Sequence, residues 1–121
     1  VLPLSGPSSL MLALAASGLD GQRFAFVGYV SADAAERAKR LQALEQRSRA
    51  ESQTQILIET PYRNQALADA LLASLKPGTR LSVSLGLTLT GGWSRTDTVA
   101  GWRQRPPKLP GDVPAVFLFL A

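Results

Sequence analysis

The chain has 121 residues, 45% of them hydrophobic and 18% charged, with a mean hydropathy of +0.06. That is enough polypeptide for one apolar core and not for a second, and it lies far from the low-hydrophobicity, high-charge regime of disorder. Thirteen Lys and Arg against nine Asp and Glu leave a net charge of +4 and a pI near 10.1, which suits a polyanionic partner such as RNA and equally reflects an arginine-rich composition. The absence of Cys and His argues against disulfides, thiolate metal sites, metal-assisted hydrolysis and triad-type hydrolysis in this segment.

Gly6-Pro7-Ser8-Ser9 opens a helix with Pro7 in its first turn after a Ser5 or Gly6 cap, and Gly18 stands where a left-handed residue ends it near Ser17. Leu10, Met11, Leu12, Leu14 and the intervening alanines leave no polar face, so this helix is expected to be buried on several sides. The apolar run 10–16 is far too short to span a bilayer and has no basic stretch before it, which predicts neither a transmembrane helix nor a signal peptide and a cytoplasmic setting by default. A cofactor-facing turn of this kind ordinarily follows a strand, and no room exists for one here. Val1 is therefore expected to be a cut in a longer polypeptide.

Residues 24–30, aromatic and β-branched between turn residues, predict a strand. Ser31 is then placed to cap a long polar helix through about Ala50, with Asp33/Arg37 and Glu36/Arg40 four apart and Ala34, Ala38, Leu41 and Leu44 as a narrow apolar stripe. Residues 56–58 read as a short buried strand, and Thr60-Pro61 repeats the cap-then-proline signal for a helix through Leu67, Ala70 and Leu71 to about Leu75, stopped by Lys76-Pro77-Gly78. Leu81, Val83, Leu85, Leu87 and Leu89 alternate with Ser82, Ser84, Gly86, Thr88 and Thr90, predicting a strand with one packed face and one polar face. The segment 93–105 reads either as a short helix capped by Asp97 or Thr96 or as a return strand. After four prolines, Ala115 to Leu120 is a continuous apolar run suited to an interior strand. Together these elements predict an α/β fold with a mixed sheet of about five strands flanked by helices.

In α/β folds ligands collect at the carboxyl ends of strands, and three places have that character. Ser8 and Ser9 offer hydroxyls and first-turn N–H groups to a carboxylate or a polar cofactor edge, or simply cap a helix. Glu59 has the position of a general base and Arg63 of an anion clamp, or the two are a solvated pair. Gly86 within a strand allows either close backbone approach of a ligand or a bulge. Arg95, Arg103, Arg105 and Lys108 with Trp93 and Trp102 would suit a basic, aromatic surface for stacking nucleotides, or the tryptophans anchor the core. No nucleotide-binding glycine loop, Ser/His/Asp set or paired-carboxylate arrangement is present.

Taken in order, Pro3-Leu4-Ser5-Gly6-Pro7-Ser8-Ser9, Arg23-Phe24-Ala25-Phe26-Val27-Gly28-Tyr29, Ile58-Glu59-Thr60-Pro61-Tyr62-Arg63 and Asp97-Thr98-Val99-Ala100 resemble the C-terminal domain of tetrapyrrole-methylase-type S-adenosylmethionine-dependent methyltransferases. The nearest branch is the one that methylates cytidine ribose in small-subunit ribosomal RNA. The resemblance runs across most of the chain and implies a two-domain protein, usually a homodimer, with S-adenosyl-L-methionine in the cleft between the domains. Residues 1–121 would be the C-terminal domain, inactive alone, with the glycine-rich N-terminal domain as its missing partner. Carried over by position, Ser8, Ser9, Glu59, Gly86 and Leu87 would contact the cofactor and Tyr62 and Arg63 the acceptor, with no catalytic residue and no metal assigned. Where the ribosomal branch has His this chain has Tyr62, and its R-E-L-T-K segment is replaced by Leu85-Gly86-Leu87-Thr88-Leu89. Methyl transfer is thus the primary expectation. The acceptor is left between an RNA ribose and a tetrapyrrole-like molecule, and a non-catalytic dimerisation or RNA-contact module of the same fold is the rival.

Overall fold

A computed structural model describes residues 18–19, 23–31, 33–86 and 92–121. The helix expected between Pro7 and Ser17 lies outside the described residues, as do Ser8, Ser9 and Leu87. The described elements are strand β1 (Phe24–Gly28), helix α1 (Ala34–Glu51), strand β2 (Thr54–Ile58), a short 3-10 turn (Pro61–Arg63), helix α2 (Asn64–Ser74), strands β3 (Arg80–Leu85) and β4 (Trp93–Thr98), helix α3 (Val99–Gln104) and strand β5 (Ala115–Leu120). They form the expected mixed sheet of five strands, in the order β1-β2-β5-β3-β4. β1 and β2 are parallel, joined through α1, and every other pairing is antiparallel.

The order follows from hydrophobicity. β5 is apolar at all six positions and buried at all six, so it lies in the centre of the sheet, where both faces are covered. Phe117 and Phe119 point into the main core with Leu57, Leu81 and Val83, against Leu41 and Leu44 of α1, Leu67 and Leu71 of α2 and Trp102 of α3. Val116, Leu118 and Leu120 face the other way, into a second cluster with Ile56, Ile58 and Leu19.

Three local expectations change. β3 was expected to have one packed and one polar face, but Ser82 and Ser84 are as buried as Leu81, Val83 and Leu85. Their register accounts for it: Ser82 and Ser84 stand opposite Leu118 and Val116 of β5, members of the second apolar cluster, and Ser84 shares a 3.1 Å hydrogen bond with Ser94 of β4. The cap of α1 is Asp33 rather than Ser31. Its carboxyl accepts the Glu36 N–H at 3.0 Å, while the Ser31 hydroxyl accepts the Asp33 N–H and donates to Glu36 Oε2 at 3.1 Å each. Both acidic side chains are thereby used at the cap, and the ion pair that forms on α1 is Arg47–Glu51 at 3.4 Å. Finally, segment 93–105 is both of its alternatives in succession, strand then helix, and the cap is Thr98, whose hydroxyl accepts the Gly101 N–H at 3.1 Å.

That last segment does not build a nucleotide-stacking surface. Trp102 is fully buried and donates its indole N–H to the Leu81 carbonyl at 2.8 Å. The Arg95 guanidinium lies 3.9 Å from its ring centroid, pairs with Asp97 at 3.2 Å and donates to the carbonyls of Gly101 and Arg105. Arg103 donates to the carbonyls of Leu72 and Leu75 at 2.9 Å each. The tryptophan is a core anchor and two of the arginines are its fastening.

Two buried polar groups on α1 tie the helix to distant segments. Glu45, 3% exposed, accepts the Lys76 N–H at 2.8 Å and the Thr79 hydroxyl in the turn before β3. Ser48 accepts the Ala121 N–H at 2.9 Å beyond β5. Replacing Glu45 by Ala strands both donors of the Lys76–Thr79 turn, so Glu45→Ala is expected to lose roughly 2–5 kcal/mol in urea unfolding, and Glu45→Gln, which keeps an acceptor, clearly less. A second prediction concerns acid. The Arg95 guanidinium, and after it the Thr98 N–H, hold the Asp97 carboxyl below its ordinary value. A depressed folded value contributes stability that is complete above about pH 4 and disappears as pH falls through the lowered value. Asp97→Asn should therefore flatten the acid limb of stability against pH, read by denaturant melts between pH 7 and 2.5.

Candidate functional site

β1, β2 and β3 all run towards the same end of the sheet, since β3 and β2 are each antiparallel to the β5 strand between them. That end therefore collects Gly28, Glu59 and Gly86 at strand termini, with Pro114 and Ala115 at the start of β5 between the latter two. Two of the residues singled out from the sequence, Glu59 and Gly86, are thus brought to one rim by topology.

Glu59 follows β2 and is only 7% exposed. Its Oε1 accepts the Thr60 N–H at 2.8 Å and the Thr60 hydroxyl at 3.4 Å, whereas Oε2 takes no hydrogen bond from the described residues. Thr60 is extended and makes no side-chain cap, so Pro61 starts a 3-10 turn, closed by the Arg63 N–H on the Thr60 carbonyl at 2.8 Å, before α2 begins. This turn puts Tyr62 on the outside, 69% exposed, with the Arg63 guanidinium 5.2 Å from its ring centroid. Glu59 and Arg63 make no ion pair with each other among the described residues: one side chain goes in and the other goes out.

Gly86 is buried and left-handed, with φ +57, the conformation glycine adopts at no steric cost. Its N–H donates to the Pro114 carbonyl at 2.9 Å. A Cβ on Gly92 would overlap the Gly86 carbonyl, so the close backbone approach seen at this glycine is made by the chain's own return segment.

One rim residue went unnoticed in the sequence. Asn64, the first residue of α2, is fully buried, donates from Nδ2 to the Val113 carbonyl at 3.0 Å, and its Oδ1 is buried without a partner among the described residues. Next to it, Gln65 accepts the Leu109 N–H at 2.8 Å and donates to the Pro107 carbonyl at 3.1 Å. The two amides fasten the proline-rich connection to α2 just ahead of β5. A signal was available: Asn64 stands on the same helical face as Leu67, Ala68 and Leu71, where an apolar residue belongs.

Among the described residues no group of acidic side chains could hold a metal ion, and no helix is long and apolar enough to cross a membrane.

Three relatives share one name, ribosomal RNA small subunit methyltransferase I. The Pseudomonas aeruginosa protein is 43% identical over 70 residues, covering 57% of this chain and 23% of its own length. The Mesorhizobium japonicum protein is 33% identical over 99 residues, 82% of this chain and 32% of its own, and the Synechocystis protein 38% identical over 88 residues, 73% and 30%. The chain is a homologue of part of these methyltransferases. It spans about a third of their length or less. Its fold is that of the solved methyltransferase CobJ, with a TM-score of 0.59 at 16% identity over 92% of this chain and 46% of that one, so the tetrapyrrole-methylase-type architecture implied by the motifs is the observed one. No family model matches the chain.

The rim's rigidity is testable at Asn64. Asn64→Ala removes the Val113 bond from a buried site and is expected to cost about 1–3 kcal/mol of stability. It should also speed hydrogen exchange at the Leu109 amide, as segment 106–114 loosens from α2.

Proposed function

We propose that the chain is part of an S-adenosyl-L-methionine-dependent methyltransferase, forming one wall of an interdomain cofactor cleft and part of the acceptor site, with small-subunit ribosomal RNA as acceptor. The observation that carries this is sequence likeness of 33–43% to proteins of that one name. The opposite wall would come from an N-terminal domain, in a cytoplasmic homodimer. A tetrapyrrole-like acceptor has weaker support, because likeness to CobJ at 16% identity speaks for the fold alone.

The rim fits such a cofactor by the chemistry of its donors and acceptors. S-adenosyl-L-methionine, when bound, supplies a methyl group already activated on a sulfonium centre. The protein then has to hold donor and acceptor in line and exclude water, which requires no histidine. Glu59 is the strongest polar group available for this. Its Oε1 is held by Thr60, which leaves Oε2 to accept from a hydroxyl or amino group of a nucleoside. Gly86 brings the β3 terminus to the same rim. Tyr62 and Arg63 stand outside it, where a ring and a guanidinium meet an acceptor that carries bases and phosphates. Ser8, Ser9 and Leu87 complete the proposed cofactor contacts.

The full-length protein is expected to transfer labelled methyl groups from S-adenosyl-L-methionine to small-subunit ribosomal RNA. Glu59→Ala should weaken cofactor binding by roughly 1.5–3 kcal/mol, about ten- to a hundredfold in Kd by calorimetric titration, with Glu59→Gln intermediate. Binding unchanged in Glu59→Ala would remove Glu59 from the site. Transfer to a tetrapyrrole in place of RNA would establish the alternative acceptor, and no cofactor binding at all would leave a module that kept the fold without the chemistry.

A further inference from the structure

The large hydrophobic side chains that stay exposed among the described residues are all aromatic: Phe24 at 42%, Phe26 at 52%, Tyr29 at 60% and Tyr62 at 69%. Three of the four belong to β1 or its immediate continuation, and the fourth stands on the rim after β2, towards which β1 runs. Among the described residues β1 is an edge strand, with β2 on one side only. Phe24 and Phe26 share one of its faces, about 7 Å apart at two residues' rise. The intervening Ala25 and the following Val27 face the main core, where Val27 packs. The Phe26 ring lies against Gly28, where a Cβ would be in ordinary van der Waals contact with it at 3.6 Å. Its φ of +80 then turns the chain into Tyr29.

The other end of this ladder is polar and basic. Arg23, Phe24, Glu51 and Gln53 line an open depression of about 470 Å³. The Arg23 guanidinium reaches the Glu51 carbonyl at 3.5 Å, and the Glu51 carboxyl is paired with Arg47, so the acid is offset locally. Arg49 adds a further cation in the last turn of α1. Gln53 takes hydrogen bonds from Gln55 Nε2 on both its carbonyl and its side-chain oxygen, while Gln55 Oε1 is buried without a partner.

We propose that this edge of the sheet is a stacking track for single-stranded RNA, with bases on Phe24 and Phe26, phosphates beside Arg23, and the strand led past Tyr29 to Tyr62 and the rim. RNA is the occupant favoured by the mixture of groups. Separated rings offer a π-face to any base, guanidinium groups meet phosphates, and a net charge of +4 attracts a polyanion. A purely apolar protein surface would find no counterpart for the cations Arg23 and Arg49 that flank the two rings, whereas a polyanion with bases uses both. The inference rests on the methyltransferase reading only for what happens at the rim.

The test is fluorescence anisotropy of a labelled 12-nucleotide mixed-sequence RNA with the full-length protein, at two salt concentrations, alongside melting temperature and mass by light scattering. Each ring is expected to contribute roughly five- to a hundredfold in Kd, so the paired Phe24→Leu and Phe26→Leu variant should bind RNA at least tenfold more weakly with an unchanged melt. Arg23→Gln should weaken binding and lower the salt slope by about one. A folded double-leucine variant that binds RNA like the parent overturns the track, as does a parent dimer that falls to monomer in that variant, which would mean that a second copy covers the rings. Cofactor binding separates the two proposals: ring-dependent RNA binding without cofactor binding supports the track and sinks the enzyme, and cofactor binding with ring-independent RNA binding does the reverse.

Discussion

The constraint on which the rest of this structure depends is the need to bury both faces of β5. Its sequence, Ala-Val-Phe-Leu-Phe-Leu, has no polar side to turn outward. Each large apolar side chain moved out of water contributes on the order of 1.5–3 kcal/mol, so the strand is driven to the middle of the sheet. Seated there, it splits the strands that precede it in the chain. β2 and β3 become its antiparallel neighbours, run in the same direction as each other, and end at the same rim. A strand added at the edge instead would have left Glu59 and Gly86 at termini with a different neighbour between them.

A core this apolar is non-directional, and what fixes its parts in register is a small number of buried polar contacts. Glu45 joins α1 to the turn before β3, Ser48 joins it to the end of β5, Asn64 joins α2 to the residue before Pro114, and the Trp102 indole joins α3 to β3. In each case a side chain bonds a backbone group in a loop, strand or turn of another element. Such contacts gain little over the same groups in water but are costly to break, which makes them selectors of one arrangement more than sources of stability. Their distribution matters for the rim. Asn64 and Gln65 hold the connection that enters β5, and with it the Pro114 carbonyl on which Gly86 is hung.

What could be read in the sequence is what one-dimensional patterns encode. The apolar runs of β2 and β5 and the aromatic run of β1 identified strands, Thr60-Pro61 marked a helix start to within a few residues, and the strand-end position of Glu59 was visible without coordinates, whereas Gly86 read as lying within a strand and instead follows its last residue, Leu85. Features that depend on tertiary position were not. Leu-Ser alternation in β3 is indistinguishable from a half-exposed strand until Ser82 and Ser84 are seen to stand beside Leu118 and Val116 of the second apolar cluster. Two acidic residues near the start of α1 looked like partners for Arg37 and Arg40, but the cap competes for them: Asp33 takes the otherwise unpaired Glu36 N–H, and the Glu36 carboxyl takes the Ser31 hydroxyl. The clustered arginines and tryptophans of segment 93–105 were ambiguous because their composition suits an exposed or a buried arrangement, and only the 2.8 Å indole bond to Leu81 decides between them. Asn64 was hidden by its own context, one polar residue in an apolar stripe.

The chemistry proposed for the rim is consistent with how that rim is made. Methyl transfer from a sulfonium asks for alignment and a dry boundary, and neither requires a group that exchanges protons near neutral pH. A chain without histidine can supply both through strand termini whose backbone is fixed from below. Here the fixing is done by β5, by the Asn64–Val113 bond and by the Gly86–Pro114 bond, none of which involves a side chain able to titrate near neutral pH. The aromatic edge extends the same logic outward. Central strands of this sheet can satisfy their apolar residues internally, whereas β1, paired on one side among the described residues, leaves its two phenylalanines about half exposed. An edge strand with exposed rings is an aggregation hazard, and natural edges are usually blunted by charge, prolines or cover. Arg23 stands immediately before β1, and the left-handed Gly28 ends it after five residues. These features blunt the edge without removing its rings, which is the arrangement expected where the rings meet a charged ligand that comes and goes.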